Sequence, residues 1–199
     1  MHSKVLTTNS ITLPNIIGKY PMIPFDLNTL EGLTDDIKVI ASELLRGIKH
    51  SGGIAYMTVH GKVLKANETL RRDGKHTDGN FEPHPSAWDG GGGNGWKVGE
   101  DGPALDSELH QRAYLNECGG IIMASNYESS KGYVGEYEGT PANGGDCTHI
   151  NTDDGFMLKA NTVYYGNNHF IHESLAVTED VHRVLVRITM PENHVYPIN

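Results

Sequence analysis

Toward the end of the chain, HRVLVRITM at 182–190 alternates with a period of two. As a strand it places Val184, Val186, Ile188 and Met190 on one face and Arg183, Leu185, Arg187 and Thr189 on the other. The first face is apolar and needs a cover. The second sends two guanidinium groups toward whatever the sheet encloses. An unpaired buried charge is costly, so inward arginines call for an anion, supplied by the protein or by a ligand.

A helical period appears earlier. Ile37, Ile40, Ala41, Leu44, Leu45 and Ile48 recur at the spacing of one helix face. Thr34 suits the N-cap, and Asp35 and Asp36 occupy the first turn, where the helix dipole favours anions. Gly52 and Gly53 mark the far end. This helix predicts a cover for the apolar face of the last strand. Between the two, 54–65 reads as a hairpin with its turn at His60 and Gly61. Further strand-like runs cover 120–127, 132–137, 147–151, 156–165, 170–177 and 182–190, and 104–116 reads as a short helix. Many short strands at close spacing predict a sandwich or barrel.

With 199 residues the chain suits one domain. It divides into a helical lead-in at 1–50, a β core at 52–190 and a glycine-rich insert at 79–103, where residues 90–93 are all glycine. Such an insert reads as a lid, with Trp88 and Trp96 as its wall or as anchors of the loop. The 25 acidic residues outnumber the 16 basic ones, for a net charge of −9, which argues against nucleic acid as a partner. No apolar run approaches the roughly 18 residues of a membrane span. The first residues, MHSKVLTTNS, lack the apolar core of a secretory signal, so a cytoplasmic location is expected. Cys118 and Cys147 make no disulfide framework. Phosphate-binding glycine motifs, the nucleophile elbow and zinc-finger cysteine pairs are all absent.

Eleven histidines are many for this length and point to metal. His76 and Asp78 stand two residues apart, so an extended segment aims both the same way. His172 lies just ahead of the arginine strand. Two histidines and one carboxylate on one face form the facial triad of non-haem Fe(II) oxygenases. His169, His84 and His149 are read as structural or solvated side chains.

The whole constellation is similar to that of the Fe(II)/2-oxoglutarate-dependent dioxygenases. The resemblance is to the taurine dioxygenase and clavaminate synthase-like branch, with prolyl hydroxylase-like features. It rests on HTDG at 76–79, GGDC at 144–147, His172, and Arg183 and Arg187 eleven and fifteen residues later. HESLAVTED at 172–180 adds to it. The resemblance implies a double-stranded β-helix (a cupin-like jelly roll) with the N-terminal helix on its outer face. It implies that His76, Asp78 and His172 hold Fe(II) and that Arg183 pairs with the distal carboxylate of 2-oxoglutarate. Arg187 either holds a substrate anion or braces Arg183. Cys147, where the family has threonine, and Asn126 are the further expected contacts to the keto acid; for Asn126 a purely structural place at a strand end is an equal reading. With O2 as co-substrate, the implied activity is hydroxylation of a small molecule with release of succinate and CO2. A cupin-type metal enzyme that uses no keto acid and a non-catalytic β-sandwich binding module are the alternatives, and neither needs an inward Arg183. The substrate and the oligomeric state, a homo-oligomer included, stay open.

Overall fold

The structure, a computed structural model, describes residues 1–78, 118–142 and 145–191. The fold is mainly β, with antiparallel sheets and one helix among the described residues. The strands are β1 (His2–Ser3), β2 (Val5–Ser10), β3 (Gly18–Asp26), β4 (Ile54–Leu64), β5 (Cys118–Ser125) and β6 (Ser130–Tyr133). They continue with β7 (Gly135–Glu136), β8 (Phe156–Met157), β9 (Thr162–Gly166), β10 (Ile171–Ser174) and β11 (Val181–Pro191). The helix α1 spans Asp35–Leu45.

Six strands form one antiparallel sheet in the order β2-β9-β5-β11-β4-β3. A three-stranded sheet has the order β10-β6-β8, and β1 pairs with β7 apart from both. β11 lies near the centre of the large sheet, which explains its burial from Arg183 to Pro191. Its period-two alternation separates two environments. Val184, Val186, Ile188 and Met190 join Ile37, Ile40, Ala41 and Leu44 of α1 in one apolar cluster. Burying each large aliphatic side chain there contributes on the order of 1.5–3 kcal/mol. Leu185, on the opposite face, packs with Ile121, Met123, Leu158 and Phe170 toward the small sheet.

Several expectations change. Residues 1–50 are more than a helical lead-in, because β2 and β3 form the two edges of the large sheet. β3 carries Pro21 and Pro24, which suit an edge strand but obscure its signal in sequence. Its register slips between Tyr20 and Ile23, where Met22 adopts φ 45 and its amide donates to Thr58 Oγ1 at 3.1 Å. The helix ends at Leu45, and Gly47 follows at φ +78, ahead of the expected stop at Gly52. Thr34 is the N-cap residue, but its hydroxyl donates to the Asp36 carboxylate at 2.5 Å and makes no capping bond to the backbone.

The expected hairpin at 54–65 is instead one continuous strand, β4. Gly61 does not turn the chain. It admits the backbone of Ile16, since a Cβ at Gly61 would sit 1.8 Å from the Ile16 carbonyl oxygen. The run at 147–151 is a turn, with Ile150 N donating to Cys147 O at 3.0 Å. The runs at 132–137 and 156–165 each break into two strands. The expected helix at 104–116 and the insert at 79–103 lie outside the described residues. No helix among the described residues is long and apolar enough to cross a membrane.

Gly61→Ala separates a turn glycine from a close-approach glycine. A loss of about 1–3 kcal/mol in chemical denaturation is expected, the usual cost of overpacking. An unchanged stability would mean that Ile16 is free to withdraw.

Candidate metal centre

The segment carrying His76 is held on both sides by backbone bonds. His76 and His172 exchange two N–H to O bonds of 2.9 Å, so they oppose each other across an antiparallel bridge. On the other side, Cys147 N donates to Lys75 O at 2.9 Å and Thr77 N to Gly145 O at 2.8 Å. Gly145 makes this approach possible. Its φ is +75, and a Cβ there would lie 2.3 Å from Thr77 O.

Opposed residues of an antiparallel pair point to one face, as do residues two apart on a strand. His76, His172 and Asp78 therefore converge. Their candidate ligand atoms all lie within 4.8 Å of one another, and all three side chains are buried. The imidazole centroids stand 4.6 Å apart.

Both rings are oriented by backbone carbonyls. His76 Nδ1 lies 2.8 Å from Gly74 O, and His172 Nδ1 lies 3.1 Å from Phe170 O. A carbonyl oxygen only accepts, so each Nδ1 carries a proton and donates it. In the neutral form of an imidazole held this way, Nε2 keeps the lone pair that binds metal. His172 Nε2 stands 3.4 Å from Asp78 Oδ2. At that distance the two atoms can share a proton on Nε2, or a cation held between them in its place. Asp78 Oδ1 is buried with no hydrogen-bond partner among the described residues, which leaves a carboxylate oxygen available to a cation there.

Burial opposes the charge on Asp78, but Arg187 and the two imidazoles outweigh it and hold the carboxyl well below its usual range. Arg187 Nη1 donates directly to Asp78 Oδ2. Burial, reinforced by His172, pushes the His76 imidazole down to about 3, against the pull of Asp78. The residues thus present the ionised carboxylate and the neutral imidazole that a divalent metal requires.

Arg183 enters the same cavity from β11. It is fully buried, at 0% exposure. Its Nη1 donates to Ser174 Oγ at 2.9 Å, its Nη2 to Ser130 Oγ at 2.7 Å, and its Nε to Ser125 Oγ at 3.5 Å. Among the described residues no carboxylate pairs with it. Burial lowers its pKa to about 10, so it stays charged near neutral pH. Arg71 lines the cavity as well, with Met123 and Leu185 as apolar neighbours. The positive charge of Arg187, then burial, pushes Arg71 down to about 9.

Two expected contacts lie elsewhere. Cys147 does not line the cavity. It is buried with Tyr133, Ile150 and Ile171, and its thiol donates to Gly145 O at 3.4 Å. The turn that docks beside His76 aims it away from the site. The Asn126 amide is committed to β11: it donates to His182 O at 3.0 Å and accepts from Val184 N at 2.6 Å. Its structural reading is the one the geometry favours. His149 is exposed and lies 3.1 Å from Thr140 O, away from the site.

Five lining residues escaped the sequence reading: Arg71, Met123, Ser130, Glu173 and Ser174. Ser174 was within reach, since it stands two residues from His172 and so shares its face. Ser130 and Arg71 carry no local signal.

Set against protein-family models, curated proteins and solved structures, the chain has no match in any of the three.

Metal-free protein should lose stability in acid in a definite window. The His76 pKa is 6.5 when exposed and about 3 when folded. Below 6.5 the unfolded chain takes up a proton that the folded one refuses, so stability falls with pH down to about 3. The slope is about 1.4 kcal/mol per pH unit. Asp78 adds a loss below 3.8, through its depressed folded pKa. Between pH 6.5 and 4.5, the wild type should lose about 2–3 kcal/mol more than His76→Gln in denaturant titrations with a chelator present. Equal losses would mean that His76 is not buried in its neutral form.

Proposed function

We propose that the chain is an Fe(II)- and 2-oxoglutarate-dependent dioxygenase that hydroxylates a small-molecule substrate, built on a double-stranded β-helix. One observation carries the reading. A buried carboxylate and two buried imidazoles share a cavity with a buried arginine that has no carboxylate partner among the described residues. The spacing of His76, Asp78, His172, Arg183 and Arg187 adds the family resemblance. The two facing sheets, with the His76 segment extending the smaller one, supply an arrangement that a jelly roll would have.

Bound Fe(II) would supply activation of O2 and oxidative decarboxylation of the keto acid to succinate and CO2. The chain's own residues do the positioning. His76 and His172 present Nε2, each ring held by a carbonyl at Nδ1. Asp78 offers an ionised oxygen, kept ionised by Arg187. Three such ligands on one face would leave room at the metal for the keto acid and O2. Arg183 holds the distal carboxylate of 2-oxoglutarate and sets the direction in which the keto acid lies. Met123 and Leu185 give the cavity an apolar wall that limits water. Asp78 occupies the ligand position that halide-transferring relatives leave vacant, so the expected product is hydroxylated and free of chlorine.

The test is succinate formation from 2-oxoglutarate under Fe(II) and air, with and without candidate substrates. The wild type should consume the keto acid. Arg183→Ala should raise the 2-oxoglutarate requirement by about 2–5 kcal/mol, the cost of losing one partner of a buried charge pair. Its metal affinity should be nearly unchanged. No succinate under any condition would overturn the proposal, and an unchanged requirement in Arg183→Ala would move the anchor to another residue.

A further inference from the structure

Ser3 is wholly buried, at 0% exposure, and lies outside the lining of the cavity. Its hydroxyl nevertheless joins two strands beside the candidate metal centre. Ser3 Oγ donates to Tyr133 O at 2.5 Å and accepts from Ile171 N at 3.0 Å. Tyr133 on β6 and Ile171 on β10 are opposed residues in the antiparallel register. Successive residues of a strand point their backbone groups to opposite sides. Those of His172 are given to His76, so those of Ile171 face β6, where the serine hydroxyl stands. One hydroxyl thus bridges β6 and β10 at the residue directly before His172.

Ser3 is itself held from both sides. It pairs with Gly135 in the ladder between β1 and β7. The Asn167 side chain accepts from Lys4 N at 3.1 Å and donates to His2 O at 2.7 Å. Asn167 O in turn accepts from Phe170 N at 3.0 Å, and Phe170 O is the carbonyl that orients the His172 ring. Residues 2–4 therefore meet the approach to His172 twice, through Ser3 at Ile171 and through Asn167 at Phe170. Solvent has no access to Ser3, so bulk water does not replace its hydroxyl once that is removed. Tyr133 O and Ile171 N must then lose this partner or draw together. Either change reaches His172 across one peptide bond.

We infer that Ser3 is a positioning residue for the metal centre. Its hydroxyl sets the spacing of β6 and β10, and thereby the place of the His172 imidazole relative to His76 and Asp78. The inference rests on the proposed metal centre and adds to it a residue from a distant part of the chain that does not line the cavity.

The experiment is titration of the full chain with Co(II), read by visible absorption. Co(II) stands in for Fe(II), and its d–d bands report the geometry of the donor set. The wild type should bind one equivalent. Ser3→Ala should bind Co(II) about 10-fold more weakly, the lower end of the loss when a group that orients a metal ligand is removed, and its bands should be displaced. Ser3→Cys fills the same space with a poor hydrogen-bonding group and should behave alike, so the result does not depend on the alanine variant folding. Gly61→Ala is the control, because it perturbs the large sheet away from β6 and β10. Its affinity and bands should match those of the wild type. Unchanged affinity and bands in the Ser3 variants would overturn the inference. An equal loss in Gly61→Ala would also overturn it, by making the effect one of general stability. A wild type that binds no Co(II) would overturn the proposed metal centre and the role of Ser3 with it. A wild type that binds Co(II) beside indifferent Ser3 variants would overturn the role of Ser3 alone.

Discussion

Two guanidinium groups buried on one central strand set the terms for the rest of the molecule. Arg183 and Arg187 are both essentially inaccessible on β11. Burying a full charge costs several kcal/mol unless it is compensated. The two arginines are compensated differently. Arg187 has Asp78, a protein carboxylate. Arg183 has, among the described residues, only serine hydroxyls. The first pair fixes a carboxylate next to two imidazoles. The second leaves a charge without a carboxylate partner among the described residues. Two unlike environments, a carboxylate beside two imidazoles and a set of serine hydroxyls, thus meet one strand four residues apart.

The placement of the ligand atoms follows from backbone pairing more than from the side chains themselves. The reciprocal bonds between His76 and His172 put the imidazoles on one face, and the two-residue spacing brings Asp78 to the same face. Carbonyls at Gly74 and Phe170 then fix the protonated nitrogen of each ring. Side chains preset in this way lose little freedom when an ion or ligand arrives, which is the physical sense of preorganisation. The apolar cluster under α1 supports the other side of the same strand, so the positions of the two arginines depend on the outer core as much as on the cavity.

How far the chain could be read in advance varies with the signal. The alternation in β11 was legible because its two faces meet different environments, and the helix because four of its predicted face positions are buried against that sheet. The convergence of His76, Asp78 and His172 was legible from the two-residue spacing taken together with the family resemblance. β3 was not, because two prolines and a bulge mask an edge strand. Gly61 was misread as a turn because a glycine that admits a neighbouring backbone looks the same in sequence as one that reverses the chain. Cys147 and Asn126 followed from family resemblance, and local turn and strand-end geometry placed both outside the cavity. Ser130 carries no local signal at all, since its role comes only from the distant Arg183 that meets it across the space between two sheets.

The central claim is that metal and keto acid meet in one buried site built by these residues. It is tested most directly by an optical titration under argon. Fe(II) is added to the protein, followed by 2-oxoglutarate. A keto acid chelating Fe(II) through its keto oxygen and carboxylate gives a visible metal-to-ligand charge-transfer band. The expected result is a band that requires protein, Fe(II) and 2-oxoglutarate together, saturates at one equivalent of iron, and is lost in His172→Ala. Iron that binds without any band on addition of 2-oxoglutarate, or a band that persists undiminished in His172→Ala, would contradict it.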